Sequence, residues 1–575
     1  MEKRWVIQKH DHQRAGEFAR ELGVSPLVAA LLIARGFDNE TAARNFLSPT
    51  IADLHDPLLL KGMRKAVDRV MSAIANREKI LIWGDYDVDG TTGTTLLRKA
   101  LKILGGETGF HLPNRFTEGY GINIPALETA KTNGFSLVIS VDCGIRSFEP
   151  IEWAAGNGID VIVTDHHLSD EVRGNPPAFA VVNPNQPGCE YPDKHLAGVG
   201  VAFKLAHVLL RENGHEDKVS DFLKIAAIGT IADIMKLTGE NRAIVAIGLR
   251  DLTKTSNYGL RALMEVADCR SEMTSYHIGF RIAPRINAAG RMDVARHVVE
   301  LLETEDFNEA RKLAEILDSR NRERQQVQQR ITELALLESA DIDQQNFIVV
   351  AGENWHKGVI GLAASRISEH FNRPTIVLTI EDGMAHGSAR SIGDFHLLQA
   401  LESCDGLFEQ FGGHAAAAGM KIRSDRIPTL RAELNSYAGQ MFEGVDMTPE
   451  LRIDAVISSA TLGLKIVDEI ALLEPFGAGN TKPVFVTKGL YLDSEPLVMK
   501  EKHLKLSLRD RDRKRFEAVW WDGVRKSKGR TLTRGTGIEL AYVPEANEWQ
   551  GNRRLQLVVE DLHADNQESA GKDGT

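Results

Sequence analysis

Three aspartates separated by single residues follow an apolar run near the start of the chain. Asp85, Asp87 and Asp89 come after the apolar segment 80–83, and a helix-like segment (91–104) follows them. A short continuous apolar run is typical of a buried parallel strand, and open α/β sheets bind ligands beyond the carboxyl ends of such strands. Alternate side chains of an extended segment point the same way, so like charges are crowded here. A divalent cation or a shared proton would relieve the crowding, whereas a solvated acidic turn is the simpler alternative for a single motif.

Acidic and imidazole residues also end three later apolar runs. They are Asp142 after the run 137–141, the set Asp165, His166 and His167 after 161–163, and Asp233 after 225–230. We interpret these runs as further strands of one parallel sheet, whose carboxyl ends share an edge. Carboxylates suit Mg²⁺ and Mn²⁺, and imidazoles favour Mn²⁺. Two such ions about 4 Å apart can clamp the attacking and departing oxygens of a phosphoryl displacement, so the pattern predicts a dinuclear site for phosphate chemistry.

Composition limits the kinds of protein that this chain can be. It has 575 residues, of which 43% are hydrophobic and 26% charged, and these values are typical of a globular protein with several domains. The formal net charge of −11 excludes a basic nucleic-acid binder, so a polyanion would need a local patch or metal ions. Four isolated cysteines, no signal-peptide core and no membrane-length apolar segment predict a soluble cytoplasmic protein.

Two further segments could contact phosphate. The segment 196–202 opens a helix with glycines, and it would serve either as a phosphate cradle or for close helix packing. The segment 279–291 has three arginines interleaved with Asn and Gly in what we interpret as a loop, which suits a bidentate grip on phosphate. The candidate contacts are Arg281, Arg285, Asn287 and Arg291, with structural ion pairs as the alternative.

The second half of the chain carries two more patterns. Residues 341–445 resume the alternation of strands and helices, and their small, polar and cationic segments 387–391 and 412–414 suit an anion. Residues 446–562 contain five short strand-like segments with turns, which predicts a small barrel of the OB type. Basic residues flank Trp520 and Trp521 there, as in single-strand-binding grooves, although strand alternation also allows these aromatics to be core.

The motifs together resemble a known superfamily. The sequences GDYDVDG (84–90), VDCG (141–144), TDHH (164–167) and IAD (231–233) resemble the DHH phosphoesterases, and GGHAAAAG (412–419) looks like their second, phosphate-binding domain, DHHA1. The segment LEPFGAGNTKPVF (473–485) is similar to that of bacterial single-stranded-DNA-specific exonucleases in this superfamily. The resemblance covers residues from about 40 to 562. It implies two α/β lobes, a parallel-sheet DHH domain and a DHHA1-type domain, joined by a long helix and followed by an OB-type barrel.

The domain boundaries that we expect combine the patterns with the resemblance. They are a helical N-terminal segment (1–50), a DHH catalytic domain (51–304), a connecting helix (305–340), a DHHA1 domain (341–445), an OB domain (446–562) and a disordered tail (563–575).

The resemblance also implies roles for individual residues. Asp87 and Asp142 would hold one ion, and Asp89, Asp142, His166 and Asp233 would hold the other. Trp83 occupies a position where many members have a ligating histidine, so water or Asp85 would complete the first shell. His167 would lie beside the scissile phosphate, and Asp165 would orient the histidines. The residues that this resemblance assigns to the DNA backbone and a terminal 5′ phosphate are Ser388, Arg390, Gly413 and His414.

These expectations combine into a function. The resemblance predicts a Mg²⁺- or Mn²⁺-dependent exonuclease that degrades single-stranded DNA 5′→3′ into 5′ mononucleotides during DNA repair and recombination. It further implies a monomer that works with a single-strand-binding protein and a helicase. One alternative is a DHH-type phosphatase of short oligonucleotides, against which the C-terminal barrel argues. The other is a catalytically inactive relative that serves as a replication scaffold, against which the retained ligand residues argue.

Overall fold

The structure of the chain, a computed structural model, describes residues 3–114, 118–119, 121–269, 272–291, 295–337, 345–549 and 551–564. The chain divides into two compact units. One unit contains Met1–His55, Lys236–Ile247 and Thr448–Thr575, and the other contains Asp56–Met235 and Gly248–Met447. None of the helices seen in the described ranges combines the length and apolarity that a membrane crossing requires.

The N-terminal segment is helical after one short strand. Its elements are β1 (Arg4–Ile7), α1 (His12–Leu22), α2 (Pro26–Ala34) and α3 (Glu40–Leu47). Asp11, Ser25 and Asn39 cap the three helices by accepting a backbone N–H of the first turn. Pro26 occupies the first turn of α2, where its missing N–H costs no hydrogen bond.

The first lobe of the larger unit is built on a parallel sheet. Its strands are β2 (Lys79–Gly84), β3 (Glu107–His111), β4 (Phe135–Val141), β5 (Asp160–Thr164) and β6 (Ala180–Val182). They lie in the order β3-β2-β4-β5-β6, and every neighbouring pair is parallel. The central strands β2 and β4 are buried because helices cover both faces, which explains their unbroken apolar sequence. The edge strand β3 lacks such a run, and the sequence analysis missed it for that reason.

Helices surround this sheet. They are α4 (Met63–Ala75), α5 (Val88–Ile103), α6 (Ile124–Thr132), α7 (Phe148–Gly156), α8 (Gly198–Glu212), α9 (Val219–Ala232), α11 (Tyr258–Val266), α12 (Ser275–His277), α13 (Ala283–Arg291) and α14 (Arg296–Glu303). Helix α10 (Gly239–Arg250) comes between α9 and α11 in the chain, and most of it belongs to the smaller unit. The predicted strand at 225–230 is wrong, because these residues lie in α9. Helix α9 is buried over most of its circumference, so it lacks the one-sided apolar pattern by which a surface helix is recognised.

The long connecting helix is confirmed. Helix α15 (Phe307–Leu337) has 31 residues, and it packs against α11 and α13 of the first lobe. Near its end, Ile331 and Ala335 join the apolar core of the second lobe. A single rigid helix therefore contributes to both lobes of this unit.

The second lobe has a mixed sheet. Its strands are β7 (Ile348–Glu353), β8 (Thr375–Glu381), β9 (Met384–Arg390), β10 (Phe408–Gly413) and β11 (Ala417–Arg423), and its helices are α16 (Lys357–Phe371), α17 (Leu397–Glu402) and α18 (Ile427–Phe442). The strand order is β10-β11-β9-β8-β7, in which β7 and β8 are parallel and the other pairs are antiparallel.

The C-terminal part of the smaller unit is a closed barrel. Its elements are β12 (Glu450–Ile453), β13 (Ala455–Val456), α19 (Leu464–Ala471), β14 (Phe485–Leu492), β15 (Leu497–Met499), β16 (His503–Arg509), β17 (Arg515–Trp520), α20 (Gly523–Lys526), β18 (Gly537–Trp549) and β19 (Asn552–Ala564). Strand β14 pairs with both β18 and β16, and this double pairing closes the ring as the OB architecture requires. Strand β19 includes His563 and Ala564, which the sequence analysis assigned to the tail; the remaining tail residues lie outside the described ranges.

The N-terminal helices and the barrel share one apolar core. Phe18 and Leu31 belong to the same buried cluster as Trp520 and Tyr542. Strand β1 also pairs in parallel with β12. The helical segment thus belongs to the same unit as the barrel. In sequence, about four hundred residues separate the segment from the barrel, which is the length of two or three domains.

Candidate metal centre

The loop after β2, which contains Asp85 and Asp87, packs closely against the start of α5. Asp87 caps α5 by accepting the backbone N–H of Gly90 at 3.1 Å. A Cβ on Gly90 would lie 2.5 Å from the backbone of Asp85, so only glycine fits where the loop crosses the helix. Asp89 follows in the first turn of α5 and is 1% exposed. The predicted strand–loop–helix arrangement therefore buries acidic side chains at the carboxyl end of β2.

The start of α8 holds one of these carboxylates. The backbone N–H groups of Gly198 and Val199 donate to the two oxygens of Asp89 at 2.6 and 2.7 Å. A Cβ on Gly198 would lie 2.5 Å from the side chain of Asp142, so the helix end fits only without one. The glycine-rich segment thus binds a carboxylate of the protein itself, and the helix dipole favours its negative charge. The sequence analysis found the segment but not this role.

Asp142 and Asp165 lie at the ends of the next two strands. Asp142 adopts a positive φ of 61°, in a region that few residues other than glycine occupy. Asp165 accepts the backbone N–H groups of Ile145, His166 and His167 at 3.0, 2.7 and 3.0 Å and contacts His167 Nδ1 at 2.8 Å. Burial opposes the charge of Asp165, but these hydrogen bonds lower its pKa below the ordinary value. The contact also holds the ring of His167 in one orientation.

His166 lies among three carboxylates from separate segments. Its Nε2 is 3.1 Å from Asp142 Oδ1, 4.0 Å from Asp89 Oδ2 and 3.7 Å from Asp233 Oδ2. Asp233 reaches this point from the C-terminal cap of α9 and not from a strand. Burial lowers the pKa of His166 to about 4, so the imidazole is neutral, the form that ligates metals.

Crowding makes the ionised carboxylates unfavourable without a cation. Burial and the neighbouring Asp233 raise the pKa of Asp89 well above its ordinary value, and burial and Asp89 do the same to Asp142. Burial and Asp87 raise the pKa of Asp233 to about 7. A divalent ion among these groups would reverse each of these shifts.

The donor atoms fit metal ions. Three sets have ligand atoms within 4.8 Å of one another: Asp85, Asp87 and Asp142; Asp89, His166 and Asp233; and Asp142, His166 and His167. Asp142 belongs to two of them, as a bridging carboxylate would. Oxygen ligands with one or two imidazoles suit Mn²⁺ or Mg²⁺. Trp83 is fully buried, and its ring lies 4.4 Å from that of His111, so the indole serves the core.

A cavity of about 240 Å³ opens over these side chains. Besides the acidic residues, its lining includes Tyr86, His167, Asn287 and Arg291. Asn287 Oδ1 accepts the backbone N–H of Val88 at 3.3 Å, which ties α13 to the start of α5. Arg291 Nη1 donates to the carbonyl of Gly358 in the second lobe at 2.9 Å. Of the four residues in the segment 279–291 that were predicted to contact phosphate, Asn287 and Arg291 therefore lie at the site.

The other two predicted phosphate contacts, Arg281 and Arg285, bind groups of the protein itself. The segment 279–291 is helical, not a loop: a π-helix (Ile278–Ile282) continues into α13. Arg285 forms an ion pair with Asp318 of α15 at 2.9 Å. Arg281 donates to the carbonyl of Asp268 at 3.0 Å. The structural alternative thus describes Arg285, which is 17% exposed, better than a substrate contact does.

The π-helix presents two aromatic residues that the sequence analysis missed. Phe280 is 70% exposed and stacks on Tyr276, with ring centroids 4.9 Å apart. The same helix meets α9 close to the metal centre, since a Cβ on Gly279 would lie 3.9 Å from Ile231. Exposed stacked aromatics suit nucleobases, and π-helical turns are frequent at functional sites.

The predicted anion residues of the second lobe lie on and beside two strands that a third strand separates. Ser388 and Arg390 are on β9, where Arg390 Nη1 donates to Ser388 Oγ at 3.1 Å. Gly413 ends β10 and has a φ of 156°, and His414 follows it on an exposed turn. Strand β11 lies between β9 and β10, so both pairs face the same end of the sheet. A Cβ on Gly361 would lie 2.9 Å from Ser388 Oγ, which places this region beside α16.

The two tryptophans of the barrel differ in environment. Trp520 is fully buried in the barrel core and cannot stack on a base. Trp521 is 52% exposed and contacts His503 edge to face. The prediction of base contact is therefore wrong for Trp520, because strand alternation sends its side chain inwards.

Comparisons with known proteins agree with this architecture. The chain matches the family models of the DHH family N-terminal domain (residues 79–230), the DHHA1 domain (344–440) and the RecJ OB domain (453–561). It is 40% identical over 564 residues to the single-stranded-DNA-specific exonuclease RecJ of Bacillus subtilis, covering 97% of this chain and 70% of that protein. Identity to RecJ of Dickeya dadantii is 35%, over 90% of this chain and 93% of that protein.

A solved structure with metal is also similar. The crystal structure of RecJ in complex with Mn²⁺ from Thermus thermophilus matches with a TM-score of 0.83 and 30% identity, covering 97% of this chain and 79% of that one. A Mg²⁺ complex of RecJ from the same organism matches with a TM-score of 0.77. The expectation of Mn²⁺ or Mg²⁺ as cofactor is therefore confirmed at the level of the family.

Fold and site together define a phosphoesterase of the DHH superfamily with an additional OB domain. The match extends beyond that class. The chain belongs to the RecJ family, whose curated members are named single-stranded-DNA-specific exonucleases.

Proposed function

We propose that this protein is a metal-dependent exonuclease that degrades single-stranded DNA 5′→3′ and releases 5′ mononucleotides. The proposal rests on one observation. The side chains of His166, Asp89, Asp142 and Asp233 lie close together, although these four residues come from four separate segments of the chain. The OB domain argues against a phosphatase of short oligonucleotides, as does membership of the RecJ family. The complete set of carboxylate and imidazole ligands argues against an inactive scaffold.

The protein groups divide the catalytic work. Asp85, Asp87, Asp89, Asp142, His166 and Asp233 would hold two ions. Such ions lower the pKa of water and neutralise the charge that develops on the phosphate oxygens. The buried contact of Asp165 with His167 holds the imidazole over the cavity, where it can hydrogen-bond the scissile phosphate. Arg291 adds a cation on the same cavity wall.

Polarity would come from the second lobe. Ser388, Arg390, Gly413 and His414 offer hydroxyl, guanidinium, backbone N–H and imidazole groups at one end of a sheet, which suits a terminal phosphate. Arg291 bonds Gly358 of this lobe and also lines the catalytic cavity, so the two sites share a boundary. A strand whose 5′ phosphate is held there would present its first phosphodiester to the metal centre.

The barrel and the exposed aromatics would bind the rest of the strand. Trp521 lies among the basic residues of the OB domain, and Phe280 and Tyr276 form a stacked pair near the metal centre. Base stacking on such rings is independent of sequence, as an exonuclease requires. Paired bases cannot stack in this way, so the duplex is excluded from the same contacts.

Other proteins would supply the substrate. Duplex DNA must be unwound before a single-strand end exists, and that end must be kept from annealing. We therefore propose a helicase and a single-strand-binding protein as working partners of a monomeric enzyme. Action on chromosomal DNA during repair and recombination places it in the bacterial cytoplasm, where the four free cysteines of the described chain would remain reduced.

The proposal is tested with strands labelled at either end. Purified protein with Mn²⁺ should release labelled mononucleotide at once from a 5′-labelled single strand, and only late from a 3′-labelled one. A duplex of the same sequence should resist digestion. Immediate release from the 3′ label, or equal digestion of the duplex, would overturn the assigned polarity or strand preference.

A further inference from the structure

A second and larger cavity lies at the far end of the helix that begins at the metal centre. Helix α5 carries Asp89 in its first turn, whereas Arg98, Lys99 and Lys102 near its other end line a cavity of about 930 Å³. At ~1.5 Å per residue, Asp89 and Lys102 are about 20 Å apart along the helix. The cavity therefore cannot belong to the catalytic pocket. Its volume suits a ligand of the size of a nucleotide.

The wall of this cavity is cationic in a chain of negative net charge. Five lining residues carry positive charge and three carry negative charge, which leaves a net charge of 5 − 3 = +2. The cations are Arg98, Lys99, Lys102, Lys218 and Lys224, and the anions are Asp221, Glu303 and Glu305. The whole chain has a net charge of −11. This concentration of positive charge favours an anion such as a phosphate monoester.

Ion pairs engage the cations of the lining except Lys99. Arg98 binds Glu303 at 2.7 Å, Lys102 binds Glu305 at 3.0 Å, and Lys224 binds Asp221 at 2.9 Å. Lys218 binds Asp217, which is outside the lining, at 3.2 Å. Each of the three lining carboxylates is thus already matched by a cation. Lys99, in contrast, forms no ion pair or hydrogen bond with any residue that the structure describes. Burial lowers its pKa, so an anion at this position would relieve an existing electrostatic cost.

Part of the lining of the cavity is apolar. Ile103, Phe222, Ile225 and Leu260 line it together with the ring of Tyr258. An inorganic anion would use only the cationic wall. A ligand with a phosphate at one end and a flat, weakly polar group at the other would use both.

We propose that this cavity binds a nucleoside monophosphate, with Lys99 contacting the phosphate and the base lying against the wall formed by Phe222 and Tyr258. The site is separate from the metal centre and does not depend on the exonuclease reaction. Lys99 acts here as a binding residue only.

Calorimetric titration of the full-length protein with dAMP tests the site. EDTA removes divalent ions, so that the metal centre does not attract the nucleotide. The substitution Lys99→Gln keeps a polar side chain that is one atom shorter and removes the charge. We expect it to weaken dAMP binding about tenfold, the effect of losing one charge-assisted hydrogen bond. Lys312→Gln, which alters an exposed lysine of α15, should leave the affinity unchanged.

Two further arms separate the possible outcomes. Arg291→Ala alters the catalytic cavity and should not affect dAMP binding; loss of binding in this variant would place the nucleotide at the catalytic site and overturn the proposal. Inorganic phosphate should bind at least tenfold more weakly than dAMP, by the contribution of one stacked base. Equal affinities would refute the base contact, and equal dAMP binding by Lys99→Gln and the wild type would refute the site. Exonuclease activity without added nucleotide should be the same in Lys99→Gln and wild type, which confirms that the variant is folded.

Discussion

The backbone N–H of Gly198 donates to the carboxylate of Asp89 at 2.6 Å, and the position of a Cβ on Gly198 is 2.5 Å from the side chain of Asp142. One glycine at the start of α8 therefore sets the positions of two carboxylates that we assign to the metal ions. The contact needs the bare backbone, because any side chain would displace Asp142, α8 or both. This dependence leads to a direct test.

Gly198→Ala should reduce exonuclease activity about a hundredfold, since displacements of about 1 Å at a catalytic site have effects of this size. Binding of single strands in EDTA should be retained, because the barrel belongs to a different unit from Gly198. Steady-state rates and fluorescence anisotropy measure the two quantities.

The matched control is Gly200→Ala in the same turn of α8. A Cβ there would lie 3.4 Å from Leu196, which is close to an ordinary contact. This variant should keep most of the activity. If both variants were equally impaired, the loss would reflect packing of α8 and not the carboxylates.

Two arginines of α13 should separate stability from catalysis. Arg285→Ala removes one of the two ion pairs of the buried Asp318 and should lower the free energy of unfolding by about 1.5 kcal/mol, the effect of one lost hydrogen bond to a charged group, because Arg322 still compensates the carboxylate. Arg291→Ala removes a cation from the catalytic cavity and should lower kcat/KM with a smaller change in stability. Thermal denaturation and kinetics of both variants check this, and an exchange of the two phenotypes would contradict the assignment.

The barrel tryptophans should behave differently as well. Trp520→Ala should destabilise the barrel unit by about 3–5 kcal/mol, the usual cost of truncating a buried aromatic residue. Trp521→Ala should leave the melting temperature unchanged and weaken single-strand binding by about 1–3 kcal/mol. A stable Trp520→Ala protein with weakened DNA binding would show that the inward orientation is wrong.

Most of the fold could be predicted from the sequence. The runs that became β2, β4 and β5 are continuous and apolar because helices cover both faces of the sheet. Asp85, Asp142 and Asp165 follow them directly, so their convergence needed only the rule that parallel strands end on one edge. The long helix α15 was recognisable because Gly and Pro are absent from its sequence.

The remaining errors have physical causes. Asp233 was expected after a strand, but a helix buried on most sides has the same short apolar sequence as a buried strand. The contact of Gly198 with Asp89 could not be predicted. The two residues are more than a hundred positions apart, about a domain length, and no local pattern indicates such a contact. The arginines of α13 carry the same sequence signal whether they face DNA or Asp318. Only tertiary contacts distinguish these cases.

Metal ions should stabilise the protein by relieving the repulsion among its carboxylates. Mn²⁺ at a hundred times its dissociation constant should add about 2.7 kcal/mol per bound ion to the free energy of unfolding. Asp142→Asn should raise the stability of the metal-free protein by about 1 kcal/mol, because a functional site stores such strain. The same substitution should abolish most of the Mn²⁺-dependent increment. Denaturant unfolding of both proteins, with EDTA or Mn²⁺, measures all three effects.

The most direct test of the account combines metal binding with catalysis in Asp142→Asn, since Asp142 is the carboxylate shared by two ligand sets. Equilibrium dialysis should find two Mn²⁺ ions on the wild-type protein and fewer on the variant, while mononucleotide release from single strands falls to background and strand binding persists. Full metal occupancy together with wild-type mononucleotide release in Asp142→Asn would contradict the proposal that these converging side chains form the catalytic centre.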